Sequence, residues 1–436
     1  MTTAHRGNIA HCTSDPASND KGSVEYFEDG ALLIDNGYIA ALGPADSVLG
    51  TVSADVPIIE HGDATLLPGF IDCHVHYPQI DVIASYGTQL LDWLERYTFP
   101  AEAAFADKAL AHEHAAFFVD ELLKNGTTSA LVFATVHAHS ADAIFAAAAK
   151  RNLRLAAGKV LMDRNCPADL RDSAESGYTD SRTLIEKWHG QDRLLYAVTP
   201  RFAITSSQEQ LTAAGRLAAE FPDVLVHTHL AENLDEVEQV AQLFPQARSY
   251  LDVYHRSGLL RERAVFAHCI HLDDEDLSVM ARARGSVAFC PTSNTFLGSG
   301  LLDLERVRES GIDVGLGTDV GGGTSFSLLT TMAEAYKVAQ ARQQSLPSAA
   351  ALYLATLGAA KTLGIDDKVG NFEPGKEADF VVLDPAPTAL LERRLQRAGN
   401  MGEALFAHMM LGDDRSILAT YVMGEQAYCK QELSHP

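Results

Sequence analysis

The sequence predicts an α/β fold: a closed (β/α)8 barrel of the TIM type, with β-rich segments at both chain ends. Three observations point to it. In the middle of the chain, eight short apolar runs alternate with helix-like segments, the rhythm of a parallel sheet covered by helices. At both ends, strand-like runs follow one another across polar turns. Histidines and carboxylates recur where several central runs stop, and active sites of such barrels lie at the C-terminal ends of the strands.

Along the chain, the first strand-like segment is ALLIDNGYIAALG (31–43), where Asn36-Gly37 signals a hairpin turn. VPIIEHGDATLLP (56–68) follows. The expected barrel strands are GFIDCHVH (69–76), TSALVFATVH (128–137), RLAAGKVLM (154–162), LLYAVTPRF (194–202), VLVHTHLAE (224–232), AVFAHCIH (264–271), SVAFCPTSN (286–294) and DVGLGTDVG (313–321). Helical patterns between them include 102–126 and 206–221. PGKEADFVVLD (374–384) and SILATYVMGEQAYC (416–429) return to strands. The expected division is 1–67, a barrel over 68–366, and 367–436. DVGGGTS (319–325) is glycine-rich but lacks phosphate-loop spacing, so it reads as a flexible turn after the last strand.

Composition narrows the function. A chain of 436 residues with 47% hydrophobic and 21% charged residues can bury a large core. A net charge of −24 repels phosphate backbones and argues against a nucleic-acid partner. The six cysteines are scattered with no CxxC pair, which fits reduced thiols rather than a disulfide framework. The N-terminus has no apolar core of signal-peptide length, and no stretch approaches the roughly 18 apolar residues that span a bilayer. The expectation is a cytoplasmic enzyme that binds no membrane.

The barrel reading makes the chemistry specific. Residues i and i+2 of a strand point to the same side, so His74 and His76 in PGFIDCHVHYPQ (68–79) face one way. The fifth strand ends in HTHLAE, with Glu232 three residues after His229; the sixth carries His268 and the eighth Asp319. Histidines joined by a carboxylate suit a catalytic zinc with one position open for water. Other histidines compete less well. His137 and His139 end the second strand without an accompanying carboxylate, and are expected in supporting or loop roles. His227 should lie one layer below His229 as a hydrogen-bonded core residue. HEHAA (112–116) has Ala116 where a zincin's second ligand would stand, and reads as an exposed helix face.

PGFIDCHVH, HTHLAE, FAHC and GTD, at these separations, resemble the amidohydrolase superfamily over nearly the whole chain. The flanking β segments resemble its small β-sandwich domain. HVHYPQ, YGTQLLDWLERYTFPAE (86–102), TPRF (199–202), CPTSN (290–294) and EPGKEADFVVLD resemble the guanine-deaminating branch. The resemblance implies hydrolysis of guanine to xanthine and ammonia with one zinc per chain, held by His74, His76, His229 and Asp319. It implies that Asp319 also accepts the water's proton, that His268 polarises or steers the nucleophile, and that Glu232 carries a proton to the purine ring and then to the amine. It sets Gln79, Arg201 and Phe202 around the substrate, with His76, His229, Glu232 and Asp319 also against it. Arg201 offers donors for O6 and N7, Phe202 a face for the purine, and Gln79 a donor and an acceptor for the lactam edge. LLDWLERYTFP (90–100) is long and aromatic for a βα connection, so Trp93 is a candidate lid residue. The resemblance also implies a homodimer.

Two rivals stand beside this reading. Binuclear cyclic amidases usually bridge two metals with a carboxylated lysine ending strand four; here that strand ends in TPRF, and Lys159 lies too early, in strand three. Mononuclear deamination of another heterocycle, such as a pterin, 8-oxoguanine or a triazine, is the closer alternative.

Overall fold

The computed structural model describes residues 1–16, 22–87 and 89–430. Strands β1 (Thr2–Cys12), β2 (Val24–Asp35), β3 (Tyr38–Pro44) and β4 (Ile58–Pro68) come first. Then follow β5 (Phe70–His76), β6 (Thr127–Phe133), β7 (Arg154–Gly158), β8 (Val160–Leu161), β9 (Leu194–Pro200), β10 (Leu225–Leu230), β11 (Ala264–His268), β12 (Ser286–Phe289) and β13 (Val314–Leu316). The chain ends with β14 (Phe380–Leu383), β15 (Ile417–Val422) and β16 (Glu425–Cys429).

Each of the eight expected barrel runs contains a strand, and these pair in parallel in the order β13-β12-β11-β10-β9-β7-β6-β5, with β8 beside β9. Strands flanked by helices on one side and a filled barrel on the other have no solvent face, which is why they read as continuous apolar runs. Between β7 and β8 the chain passes so close to β9 that a Cβ on Gly158 would lie 1.8 Å from the Ala197 carbonyl oxygen; only glycine fits. The ring is tied between its first and last strands. Asp319 N–H donates to the His74 carbonyl at 2.8 Å, and His76 N–H to that of Val320 at 2.9 Å. Buried Asp72 adds the N–H and hydroxyl of Thr318 at 3.0 and 2.5 Å.

Inside the barrel, Ile71, Cys73, Leu131, Ala197, Val265 and Ala288 pack in one cluster with Ala359, Ala360 and Leu363 from the Leu357–Leu363 helix. This core fills the barrel below the site. The β5–β6 pairing slips between Asp72 and Val75. A one-residue slip exchanges strand faces, so Cys73 can face the inner core while His74 and His76 face the same interior above it.

The chain ends form a second sheet, ordered β16-β15-β14-β4-β1-β2-β3, antiparallel except where β1 meets β4. Asn36 and Gly37 turn the β2–β3 hairpin with φ of 50° and 87°, the primed-turn geometry that Asn-Gly favours. β1 lies outside the expected strands. Its His5, Arg6, Asn8 and His11 hide its alternation, yet His5 and His11 are buried, His5 between the rings of His61, Phe380 and Tyr421. Arg154 and Arg193 bind the buried Glu377 just before β14, and Arg193 also reaches Asp379 at 2.5 Å. These ion pairs join the barrel to the second sheet.

The 206–221 pattern forms a helix over Gln208–Glu220, whose N-cap Ser207 accepts the Gln210 N–H. The 102–126 pattern divides: Asp107 caps a helix over Lys108–Lys124, and Glu102 belongs to a separate Phe99–Ala103 helix. His112 and Glu113 are exposed, as HEHAA implied. All six cysteines are free thiols. Among the described residues, no helix is long and apolar enough to cross a membrane.

Candidate active site

At the C-terminal rim, β5 presents His74 and His76, β10 presents His229, and the turn after β13 presents Asp319. Their potential ligand atoms all lie within 4.8 Å of one another. Two strand ends turn sharply to aim their side chains here: His268 has φ 71° and Asp319 φ 51°. Left-handed backbone at non-glycine residues costs about 1–3 kcal/mol and gathers at functional sites.

The hydrogen bonding of the rings makes this a site for a cation. His229 Nδ1 donates to the Arg201 carbonyl at 2.7 Å, leaving the lone pair of a neutral ring on Nε2. His74 Nδ1 meets His227 Nε2 at 2.7 Å, so His227 is the buried support expected. His76 Nε2 lies 3.2 Å from both His74 Nε2 and His229 Nε2. Burial lowers the pKa of all three rings, that of His76 to about 3, so they are neutral near pH 7. Asp319 Oδ1 stands 3.1 Å from His74 Nε2 and 3.3 Å from His76 Nε2. Three ring nitrogens and a carboxylate oxygen thus converge with too few N–H groups to pair them. A divalent cation satisfies all four, and the imidazole–carboxylate donor set suits zinc.

Glu232 and His268 stand beside this cluster. Glu236 accepts the backbone N–H groups of Glu232 at 2.8 Å and Asn233 at 3.1 Å, in the capping box that opens the Leu234–Leu243 helix. That cap fixes Glu232, whose Oε1 accepts from the Ser299 hydroxyl at 2.9 Å and whose Oε2 lies 3.4 Å from His268 Nε2. Burial, followed by the charge of Asp319, pushes the Glu232 carboxyl up to about 8. It therefore holds a proton near neutral pH and can donate it. His268 Nδ1 is held by Asn294 Oδ1 at 2.8 Å, and its Nε2 is 3.8 Å from Asp319 Oδ2.

Above the cluster is a small pocket that opens toward solvent. Leu90, Trp93, Leu94 and Phe202 give it apolar walls, and Gln79 and Arg201 supply polar groups. Trp93 is buried, with its indole N–H on the Ser85 carbonyl at 3.1 Å, so the 90–100 segment covers the pocket. Arg201 Nη1 meets both oxygens of Glu102, at 2.8 and 2.7 Å, and lies over the Phe99 ring.

All nine site residues expected from the sequence border this pocket or the cation cluster. Lys159 instead pairs with Asp172 at 2.5 Å, and His139 meets the Phe105 carbonyl at 2.7 Å. Sequence reasoning missed Glu102, Asn294, Ser299 and Glu236. A capping-box signal was present for Glu236, as Asn233-x-x-Glu236; Glu102 and Asn294 end the stretches YGTQLLDWLERYTFPAE and CPTSN but were given no role there, and Ser299 declares itself only through its contact in the folded chain.

The fold and site define a barrel hydrolase built around a metal-binding His/Asp group. Residues 65–427 match the amidohydrolase family, and the chain belongs to that family. It is 49% identical over 416 residues to guanine deaminase of Escherichia coli strain K12, covering 95% of each chain. The solved E. coli guanine deaminase superposes with a TM-score of 0.96 at 47% identity, over 98% of this chain and all of that one. Guanine deaminase from C. acetobutylicum, solved with guanine bound in the active site, superposes with a TM-score of 0.89 at 29% identity over 98% of this chain and all of that one.

Proposed function

We propose that this chain is a guanine deaminase: it replaces the exocyclic amine at C2 of guanine with oxygen from water, giving xanthine and ammonia. The observation that carries the reading is the buried Glu232, beside the His/Asp cluster at the floor of a small pocket walled by Phe202 and Trp93. The relatives at 49% and 47% identity support the same substrate. His74, His76, His229 and Asp319 would hold one zinc. When bound, zinc supplies the Lewis acidity that makes water a nucleophile near neutral pH.

The chain's own residues divide the remaining work. Arg201 donates to the O6 and N7 acceptors of the purine, Phe202 packs on its face, and Gln79 meets the lactam edge with a donor and an acceptor. Asp319 accepts a proton from the attacking water while His268 steers the oxygen toward C2. As the C–O bond forms, Glu232 gives its proton to N3. Glu232 then recovers the proton held by Asp319, and the C–N bond breaks as Glu232 delivers it to the amine. The C2 hydroxyl proton returns to Glu232 as the carbonyl forms, so water's two protons replace the one given to N3 and the one that leaves with ammonia. The reduced thiols and the family resemblance support a cytoplasmic homodimer.

The test is ammonia release over guanine, a pterin, 8-oxoguanine, a triazine and adenosine, with metal content measured on the same sample. Guanine should be turned over most efficiently, with one metal per chain. Faster turnover of another heterocycle would overturn the substrate, and two metals per active chain would overturn the mononuclear site.

A further inference from the structure

Glu102 is fully buried in the Phe99–Ala103 helix, which follows the pocket-lining residues Leu90, Trp93 and Leu94. Its Oε1 accepts both Arg201 Nη1, at 2.8 Å, and Gln79 Nε2, at 3.0 Å, and its Oε2 accepts Arg201 Nη1 at 2.7 Å. One carboxylate thus binds both polar groups assigned to substrate recognition. A second contact agrees with the orientation it gives Gln79, whose Oε1 accepts the Gly321 N–H at 3.2 Å. The amide keeps one N–H and one oxygen lone pair for a ligand. Among the described residues, no protein acceptor meets Arg201 Nη2 or Nε, and Arg201 lines the pocket. Its guanidinium therefore offers donors to a ligand while its charge is cancelled from behind.

We propose that Glu102 is a positioning residue that sets the charge of the purine pocket: by neutralising Arg201 and orienting Gln79, it makes the pocket select neutral guanine over its acidic product. This rests on the guanine deaminase reading. Xanthine is a stronger acid than guanine and becomes partly anionic near neutral pH, whereas guanine stays neutral. A pocket with net charge from Arg201 would attract the xanthine anion and slow turnover through product inhibition. A pocket in which Glu102 balances Arg201 gives the anion no such advantage, and a buried charge left unpaired is costly in its own right.

The test is Glu102→Gln, which keeps the shape and an acceptor but removes the charge. Metal content, kcat and KM for guanine, and the xanthine inhibition constant would be measured from neutral to mildly alkaline pH. The variant should keep its metal and lose on the order of ten- to a hundredfold in kcat/KM, as expected for a disrupted charged hydrogen bond. Relative to wild type at the same pH, in which Glu232 titrates alike, xanthine inhibition should tighten increasingly as pH rises; a merely structural role would not produce that difference. Glu102→Gln combined with Arg201→Gln restores a neutral pocket and should abolish the pH-dependent tightening. If Glu102→Gln does not fold but the double variant does, charge balance is again supported. Wild-type guanine kinetics and xanthine inhibition in Glu102→Gln would overturn the inference alone, as would loss of fold in both variants. A wild-type enzyme that releases no ammonia from guanine would overturn the functional reading and this inference with it.

Discussion

Replacing Glu232 with glutamine separates proton transfer from metal binding. Glutamine keeps the volume of the side chain and an oxygen to accept from the Ser299 hydroxyl, now 2.9 Å from Oε1. The four clustered ligands do not include Glu232, so the cation site should survive. What disappears is a carboxyl that burial and Asp319 hold at about 8, a proton donor near neutral pH. A positioned acid–base group contributes roughly 10²–10⁴-fold, or about 3–5 kcal/mol of barrier at about 1.4 kcal/mol per decade. Glu232→Gln should therefore retain one metal per chain and bind guanine, while kcat falls at least about a hundredfold. The assay is steady-state ammonia release, with elemental analysis and equilibrium guanine binding on the same sample. Near-wild-type turnover with metal intact would reduce Glu232 to a hydrogen-bonded wall residue and refute the proton path.

Three further outcomes follow from the geometry. His74→Ala or His229→Ala should lose metal and activity together; metal retained at wild-type content in both variants, by elemental analysis, would misplace the centre. Arg201→Ala should lose on the order of ten- to a hundredfold in kcat/KM for guanine, and unchanged kinetics would remove Arg201 from the pocket. Glu377→Ala should destabilise the fold by about 3–5 kcal/mol in denaturant unfolding, because it leaves buried Arg154 and Arg193 under-compensated. For wild-type Glu377, burial opposes ionisation, but the Arg154 hydrogen bond and the Arg193 charge outweigh it and lower its pKa. The unfolded chain therefore binds this proton more readily, so the contribution is present above the ordinary glutamate range and declines as pH falls through it toward the folded value. Acid unfolding that is identical in wild type and Glu377→Ala would sink that account.

The barrel was legible because its strands obey one rule that survives in one dimension. Buried on both faces, they read as apolar runs, and the helices between them restore the βα rhythm. β1 escaped for the opposite reason. It lies inside the second sheet, yet it places His5 and His11 inward, where edge-on and tilted ring contacts and neutral imidazoles make burial tolerable. Polarity alone therefore misclassifies it. The division of the 102–126 pattern has a local cause: Asp107 caps the helix that follows it, and an internal cap interrupts a periodicity that continues across it.

The same contrast governs the site. Strand ends fix where His74, His76, His229, His268 and Asp319 emerge, so their convergence follows from topology once eight strands are counted. Glu102 sits 23 residues from Gln79 and 99 from Arg201 along the chain, on a helix whose approach to both depends on how the covering segment folds back. No spacing rule encodes that approach. Catalytic ligands carried by the scaffold are readable from order in the chain, whereas the groups that hold substrate donors in place belong to connections whose paths are set by packing. This difference makes Glu102 a sharp test of the pocket: if its charge matters as inferred, discrimination of substrate from product depends on a residue contributed by a connection rather than by a barrel strand, and variation in that connection can alter it while leaving the metal ligands untouched.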